Sequence, residues 1–163
     1  MTNEPIFLSL GSNIGNREDM LMKAREKILE FAGVIKQASP IYETGAWGNT
    51  QQPSFLNQAL ELITPYPPDR LLQILLEIEN SLGRVRTIDK WQARTVDIDI
   101  LFYGDLQIKT GVLTLPHPEL EKRKFVLVPL AQIGGGFIHP KYGKTILDLL
   151  AECPDQLEIR KLG

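Results

Sequence analysis

Apolar positions recur along the chain at two spacings. Residues 6–10 form a short apolar run that stops at Gly11-Ser12-Asn13, the pattern of a strand entering a turn. Asn16 follows as a helix cap with Glu18 and Asp19 in the first turn. Leu21, Ala24, Ile28 and Phe31 then repeat at helical spacing until Gly33. Residues 34–42 and 54–63 predict extended segments, separated by a loop over 45–53 rich in Gly, Asn, Gln and Pro. Pro67 and Pro68 open a second helix with Leu71, Leu75, Ile78 and Leu82 on one face, closed by Gly83. A charged loop spans 84–94, and 95–103 predicts a strand ended by Gly104-Asp105.

The resulting order, β-α-β-β-α-β, is that of the ferredoxin-like α+β fold: an antiparallel sheet with two helices on one face. The last third predicts a short α/β extension. It comprises a hairpin of 106–108 with 113–115, helices over 125–133 and 146–152, and a final strand over 157–161.

With 163 residues, the chain fits one domain, taken here as 1–163, and its 43% hydrophobic and 23% charged residues are ordinary for a globule. A net charge of −2 supplies no general field to hold nucleic acid or an anionic membrane. One cysteine, Cys153, excludes an internal disulfide and a cysteine-cluster zinc site, and points to a reducing compartment. Two histidines, His117 and His139, argue against a multi-histidine metal centre, so a metal here would be held by oxygen. The N-terminus has neither the basic start nor the apolar core of a signal peptide, and no apolar run approaches the ~20 residues of a membrane span. The expectation is a soluble cytoplasmic protein.

Chemistry concentrates in Lys90-Trp91-Gln92-Ala93-Arg94-Thr95-Val96-Asp97-Ile98-Asp99-Ile100-Leu101. Strand alternation turns Val96, Ile98, Ile100 and Phe102 to a core face and Asp97 and Asp99 to the other, with Cα atoms roughly 7 Å apart. Alone, such a pair reads as a solvated strand face or as carboxylates matched to arginines. Beside Arg84, Arg86, Lys90 and Arg94 it also suits a divalent cation carrying a polyphosphate, with arginine forks on the remaining oxygens. In Phe55-Leu56-Asn57, the phenyl ring and the amide share a face, a combination that can stack on a flat heterocycle and read its edge, or simply belong to a half-exposed strand. Thr44-Gly45-Ala46-Trp47-Gly48 would offer backbone groups to the same ring, with Trp47 equally suited to anchoring the loop. His117, between Pro116 and Pro118, suits either a nucleotide contact or a structural role. Gly143-Lys144-Thr145 is not a Walker loop, because Ile138 stands where that loop needs Gly, and Gly11-Ser12-Asn13-Ile14-Gly15 lacks the dinucleotide spacing. On residues alone, a metal-dependent nucleotide enzyme and a non-catalytic ligand-binding module both remain open.

Taken together, these segments resemble the 6-hydroxymethyl-7,8-dihydropterin pyrophosphokinases of folate biosynthesis. The likeness runs from Leu8-Ser9-Leu10-Gly11-Ser12-Asn13 through Phe55-Leu56-Asn57-Gln58-Ala59 to Pro116-His117 and Arg123-Lys124-Phe125. It is most specific in Gly83-Arg84-Val85-Arg86, Trp91 and Arg94-Thr95-Val96-Asp97-Ile98-Asp99-Ile100. The resemblance implies transfer of the pyrophosphoryl group of ATP to the pterin hydroxymethyl oxygen, leaving AMP. It implies two Mg²⁺ ions at Asp97 and Asp99, and Arg84 and Arg94 as catalytic phosphate ligands. The pterin would lie between Phe55 and Phe125, read by Asn57 and by Thr44, Gly45 and Trp47. Glu79, Arg86, Trp91, Ile100, Thr114, His117 and Arg123 would belong, with Arg84 and Arg94, to the ATP site. A monomer is implied. The chain departs from the family at Gln92-Ala93, usually Gly-Pro, at Val112, an arginine in some members, and at Leu76, a glutamine in some.

Overall fold

The computed structural model describes residues 4–13, 15–45, 54–83 and 96–162. The chain order is β1 (Ile6–Ser12), α1 (Arg17–Phe31), β2 (Val34–Ala38), β3 (Tyr42–Thr44), β4 (Phe55–Ile63), α2 (Pro68–Ser81) and β5 (Asp97–Tyr103). A small hairpin of β6 (Ile108–Lys109) and β7 (Thr114–Leu115) follows, then α3 (Lys124–Gly134), α4 (Ile146–Glu152) and β8 (Ile159–Lys161). The sheet order is β5-β1-β4-β3-β8, with β2 also on β4, and every pairing is antiparallel. This is the ferredoxin-like arrangement that the spacing predicts. α1 begins where expected: the Asn16 side chain accepts from Asp19 N–H at 3.1 Å. Beyond its end, the backbone at Gly33 runs so close to the Ile63 carbonyl that a Cβ there would collide with it.

The extended segment expected over 34–42 is two strands, not one. Pro40 has no N–H for the ladder, and Ser39 repairs the break. The Ser39 N–H donates to Ala59 C=O at 2.9 Å, and the Ser39 hydroxyl accepts the Ala59 N–H at 2.9 Å.

α1 and α2 cover one face of the sheet. Leu21, Ala24 and Ile28 of α1 and Leu71, Ile74, Leu75 and Ile78 of α2 bury against Ile6, Leu8, Leu10, Leu56, Leu60, Leu62, Ile98 and Ile100. The other face is covered in part by α3 and α4, which pack Val126, Leu127, Leu130, Ile146 and Leu149 over Phe7, Ala59, Leu101 and Phe102. Phe102 departs from the sequence expectation, which places it with Ile98 and Ile100. The pairing of β5 with β1 slips between Phe7 and Leu8: Leu8 faces Ile100 but Phe7 faces Phe102. Leu101 is the extra residue of this bulge, and the face alternation reverses beyond it. Phe102 therefore joins Phe7 and Phe137, its ring centroids 6.4 and 4.8 Å from theirs.

The Gly143-Lys144-Thr145 segment is a helix entry. Gly143 has φ +66°, and Thr145 caps α4 in a reciprocal box with Asp148.

Candidate functional site

Because side chains alternate along each strand, the residues between the core positions of β1, β4 and β5 share the face away from α1 and α2. Antiparallel register sets them in rows. Asp97 stands opposite Gly11, Gly11 opposite Asn57, and Asn57 opposite Tyr42; in the next row Asp99 stands opposite Ser9. Two strand spacings separate Asp97 from Asn57, about 10 Å between Cα atoms. The residue between them has no side chain. A Cβ on Gly11 would come 3.2 Å from Asn57 Oδ1, so glycine leaves the amide undisturbed and the ground between amide and carboxylate open.

A cavity of about 450 Å³ lies on this face. Its lining includes Ser9, Gly11, Thr44, Phe55, Asn57, Asp97, Asp99, His117, Arg123, Phe125 and Leu157. Asn57 is 4% exposed and donates through Nδ2 to Thr44 Oγ1 at 3.1 Å, which fixes the plane of its amide. Phe55 and Phe125 both line the cavity from different elements, β4 and α3. Arg123 at the start of α3 carries its guanidinium 5.8 Å from the Phe125 ring centroid.

His117 is held from two sides. Its N–H donates to Leu101 C=O at 3.0 Å, and its Nδ1 accepts the Glu119 N–H at 3.3 Å. Burial holds the imidazole below the ordinary histidine value; the Asp99 carboxylate opposes that shift and Arg123 adds to it. With Nδ1 accepting, a neutral ring carries its proton on Nε2.

Of the predicted site residues, Thr44, Gly45, Phe55, Asn57, Asp97, Asp99, His117, Arg123 and Phe125 line this one cavity. Thr114 lies beside it, lining an adjoining space of about 310 Å³ that shares His117. Glu79 is buried near the end of α2, away from the lining, and the Ile100 side chain turns to the opposite face, among the residues packed on α1 and α2. Trp47, Arg84, Arg86, Trp91 and Arg94 lie outside the described residues, as do Gln92 and Ala93. Val112, at the β6–β7 turn, is 80% exposed. The lining also includes residues that sequence reasoning does not single out: Ser9, Gly11, Leu101, Val126 and Leu157. For two of them a signal exists, since Ser9 and Gly11 are the small residues that alternate with Leu8 and Leu10.

Asp97 and Asp99 present an all-oxygen donor set roughly 7 Å apart along β5. Among the described residues no group of three or more His, Cys, Asp or Glu side chains comes together to hold a metal. Two carboxylates without a full protein cage suit Mg²⁺, which takes one or two carboxylates and fills its sphere with water and phosphate oxygens.

The fold and this cavity are those of a small α+β protein in which one cavity is lined by two phenyl rings, a fixed amide and two carboxylates. Residues 7–135 match the family model of 7,8-dihydro-6-hydroxymethylpterin-pyrophosphokinase, HPPK, and the chain belongs to that family. It is 41% identical over 146 residues to a 2-amino-4-hydroxy-6-hydroxymethyldihydropteridine pyrophosphokinase of Synechocystis, covering 89% of this chain and 74% of that one. To the protein of the same name from Aquifex aeolicus it is 42% identical, covering 90% of this chain and 91% of that one. In fold it is similar to the crystal structure of a Plasmodium falciparum HPPK-DHPS with pterin and p-hydrobenzoate. That match has a TM-score of 0.73 at 16% identity and covers 91% of this chain and 44% of the other. No helix among the described residues is long and apolar enough to cross a membrane.

Proposed function

We infer that the chain transfers the pyrophosphoryl group of ATP to the hydroxymethyl oxygen of 6-hydroxymethyl-7,8-dihydropterin, as a step of folate biosynthesis. A bond forms between that oxygen and the β-phosphorus as the hydroxyl proton is released to water, the bridge between the α- and β-phosphates breaks, and AMP leaves with the bridging oxygen. Beyond family membership, one observation carries the reading: the row Asp97–Gly11–Asn57, which puts a carboxylate and a ring-reading amide in one cavity with bare backbone between them.

Asn57 reads the pterin edge, its orientation held by Thr44, and Phe55 and Phe125 enclose the ring. Gly45 and Trp47 add contacts to the pterin. Asp97 and Asp99 hold two Mg²⁺ ions, which when bound neutralise phosphate charge. Arg84 and Arg94 hold the transferring phosphates, and Arg86, Trp91, Arg123, His117 and Thr114 serve the nucleotide, while Ile100 and Glu79, both buried, support that site without lining the cavity. His117, neutral, donates through Nε2 without adding charge. This division suits the chemistry, because phosphoryl-type transfer depends on positioning and charge stabilisation more than on a strong base. Residues 1–163 act as one domain, in a cytoplasmic monomer.

The test is incubation with ATP, Mg²⁺ and 6-hydroxymethyl-7,8-dihydropterin, with AMP read by chromatography. AMP that needs the pterin and disappears with a chelator is the expected result. Pyrophosphate release in place of AMP would make the chain a nucleotidyl transferase, and pterin binding without AMP would leave a binding module.

A further inference from the structure

The family match ends at residue 135, yet the cavity wall does not. Leu157 lines the cavity with Phe55, Asn57 and Phe125. It sits on the segment between α4 and β8, and that segment is fastened at both ends. Downstream, β8 pairs with β3, placing Ile159 opposite Thr44, and the Leu162 N–H donates to Ile41 C=O at 2.8 Å.

Upstream, one side chain does the fastening. Asp155 Oδ2 accepts the Lys124 N–H at 3.1 Å, and Asp155 Oδ1 accepts the Leu157 N–H at 2.9 Å. Lys124 is the first residue of α3, and Arg123, at its cap position, gives no side-chain cap of its own. Asp155 therefore supplies, from 31 residues away, the negative charge and the acceptor that the helix start lacks. Phe125, which follows Lys124 on the helix, and Leu157, itself bonded to Asp155, both line the cavity.

We propose that Asp155 is a positioning residue for the pterin end of the site: its single carboxylate sets Phe125 and Leu157 relative to one another, and so sets the width of the slot the ring enters. The proposal rests on the reading of Phe125 as a wall of the pterin pocket. A flat ring gains its contact energy only near van der Waals separation, so a wall displaced by an ångström loses much of it. ATP, held by charged groups, depends less on that width. A helix cap with no other role would lower stability when removed and leave substrate preference untouched.

The experiment compares wild type, Asp155→Asn and Leu157→Ala in steady-state AMP formation, with thermal melts alongside. Asparagine keeps the shape of Asp155 but one of its two terminal atoms becomes a donor and can no longer accept. The expected result is a KM for pterin raised about tenfold in Asp155→Asn, with the KM for ATP within about twofold of wild type. Leu157→Ala leaves both Asp155 bonds in place and should raise the pterin KM selectively too. It decides the matter if Asp155→Asn does not fold. A melting temperature lowered with both KM values unchanged, or both raised equally, overturns the proposal. So does an unchanged pterin KM in Leu157→Ala. Wild type without pterin-dependent AMP overturns the proposed function and this inference together; wild-type turnover matched by both variants overturns this inference alone.

Discussion

On the sheet face toward α1 and α2, Leu8, Leu10, Leu56, Leu60, Ile98 and Ile100 are each no more than 4% exposed. On the opposite face the same three strands carry Phe7, Ala59 and Leu101 beneath α3 and α4, and Ser9, Gly11, Asn57, Asp97 and Asp99 around the cavity. Beneath the helices the strands are mostly apolar, with Gln58 an exception that accepts from Arg25 of α1 at 2.7 Å, and the polar and bare positions gather around the cavity. One face is therefore constrained mainly by packing, while the other divides within a few residues between packing and chemistry. Neighbouring positions on one strand should then answer mutation in different currencies.

Asp97 and Ile98 are the sharpest such pair. Asp97→Ala should lower turnover by about 10²–10³-fold, the scale of losing one charge-stabilising group, while stability changes by about 1 kcal/mol or less. Ile98→Ala, 3% exposed in the wild-type core, should cost about 2–5 kcal/mol of stability. Below its melting transition Ile98→Ala should keep most of its turnover. Chemical denaturation and single-turnover AMP formation on both variants check this. An Asp97→Ala protein that is inactive because it is unfolded would erase the contrast between the faces.

A second comparison lies within the polar face, between its carboxylate end and its amide end. Asn57→Ala removes the partner of Thr44 and the group proposed to read the ring. Loss of hydrogen bonds of ordinary strength weakens pterin binding about tenfold, with a nucleotide analogue bound within about twofold of wild type. Separate titrations of the two ligands measure this. Equal weakening of both would mean that the two ends of the row are not separate subsites.

The same contrast explains what the sequence makes legible. Asp97 and Asp99, and Phe55 and Asn57, alternate within single strands, so period-two reasoning places each pair on the right face. Phe102 is misplaced by that reasoning because the slip at Leu101 is a property of the pairing with β1 and not of β5 itself. The division of the 34–42 segment is signalled by Pro40, but the repair by the Ser39 hydroxyl depends on Ala59, twenty residues away. Leu157 reaches the cavity only because β8 pairs with β3 and Asp155 reaches α3, and neither contact has a local signature. The helix boundaries, by contrast, are set by local chemistry. Asn16 and the pair Thr145 and Asp148 cap helices that begin where those residues stand.

The smallest expected effect concerns the packed part of the divided face. His139, 2% exposed, stands edge-on to Phe102 at 5.2 Å between ring centroids. Its Nδ1 accepts the N–H groups of Lys141 and Tyr142 at 3.1 and 3.3 Å. Burial lowers its pKa from the ordinary histidine value; the nearby Glu121 carboxylate opposes this and Lys141 reinforces it. A proton on Nδ1 would also face two donors and break both bonds. The folded state therefore binds this proton less readily than the unfolded chain, whose histidine titrates near 6.5. The stabilisation is complete above about pH 6.5 and is lost as pH falls through the folded value. The melting temperature should drop by a few degrees between about pH 7.5 and 5.5, since for a chain of this size about 1 kcal/mol corresponds to roughly 2–4 °C. His139→Asn keeps an acceptor for the turn but cannot titrate, so its melting temperature should fall less over the same interval. An identical pH slope in the two proteins would assign the acid sensitivity to other groups, with His117 first among them because burial lowers its pKa in the same direction.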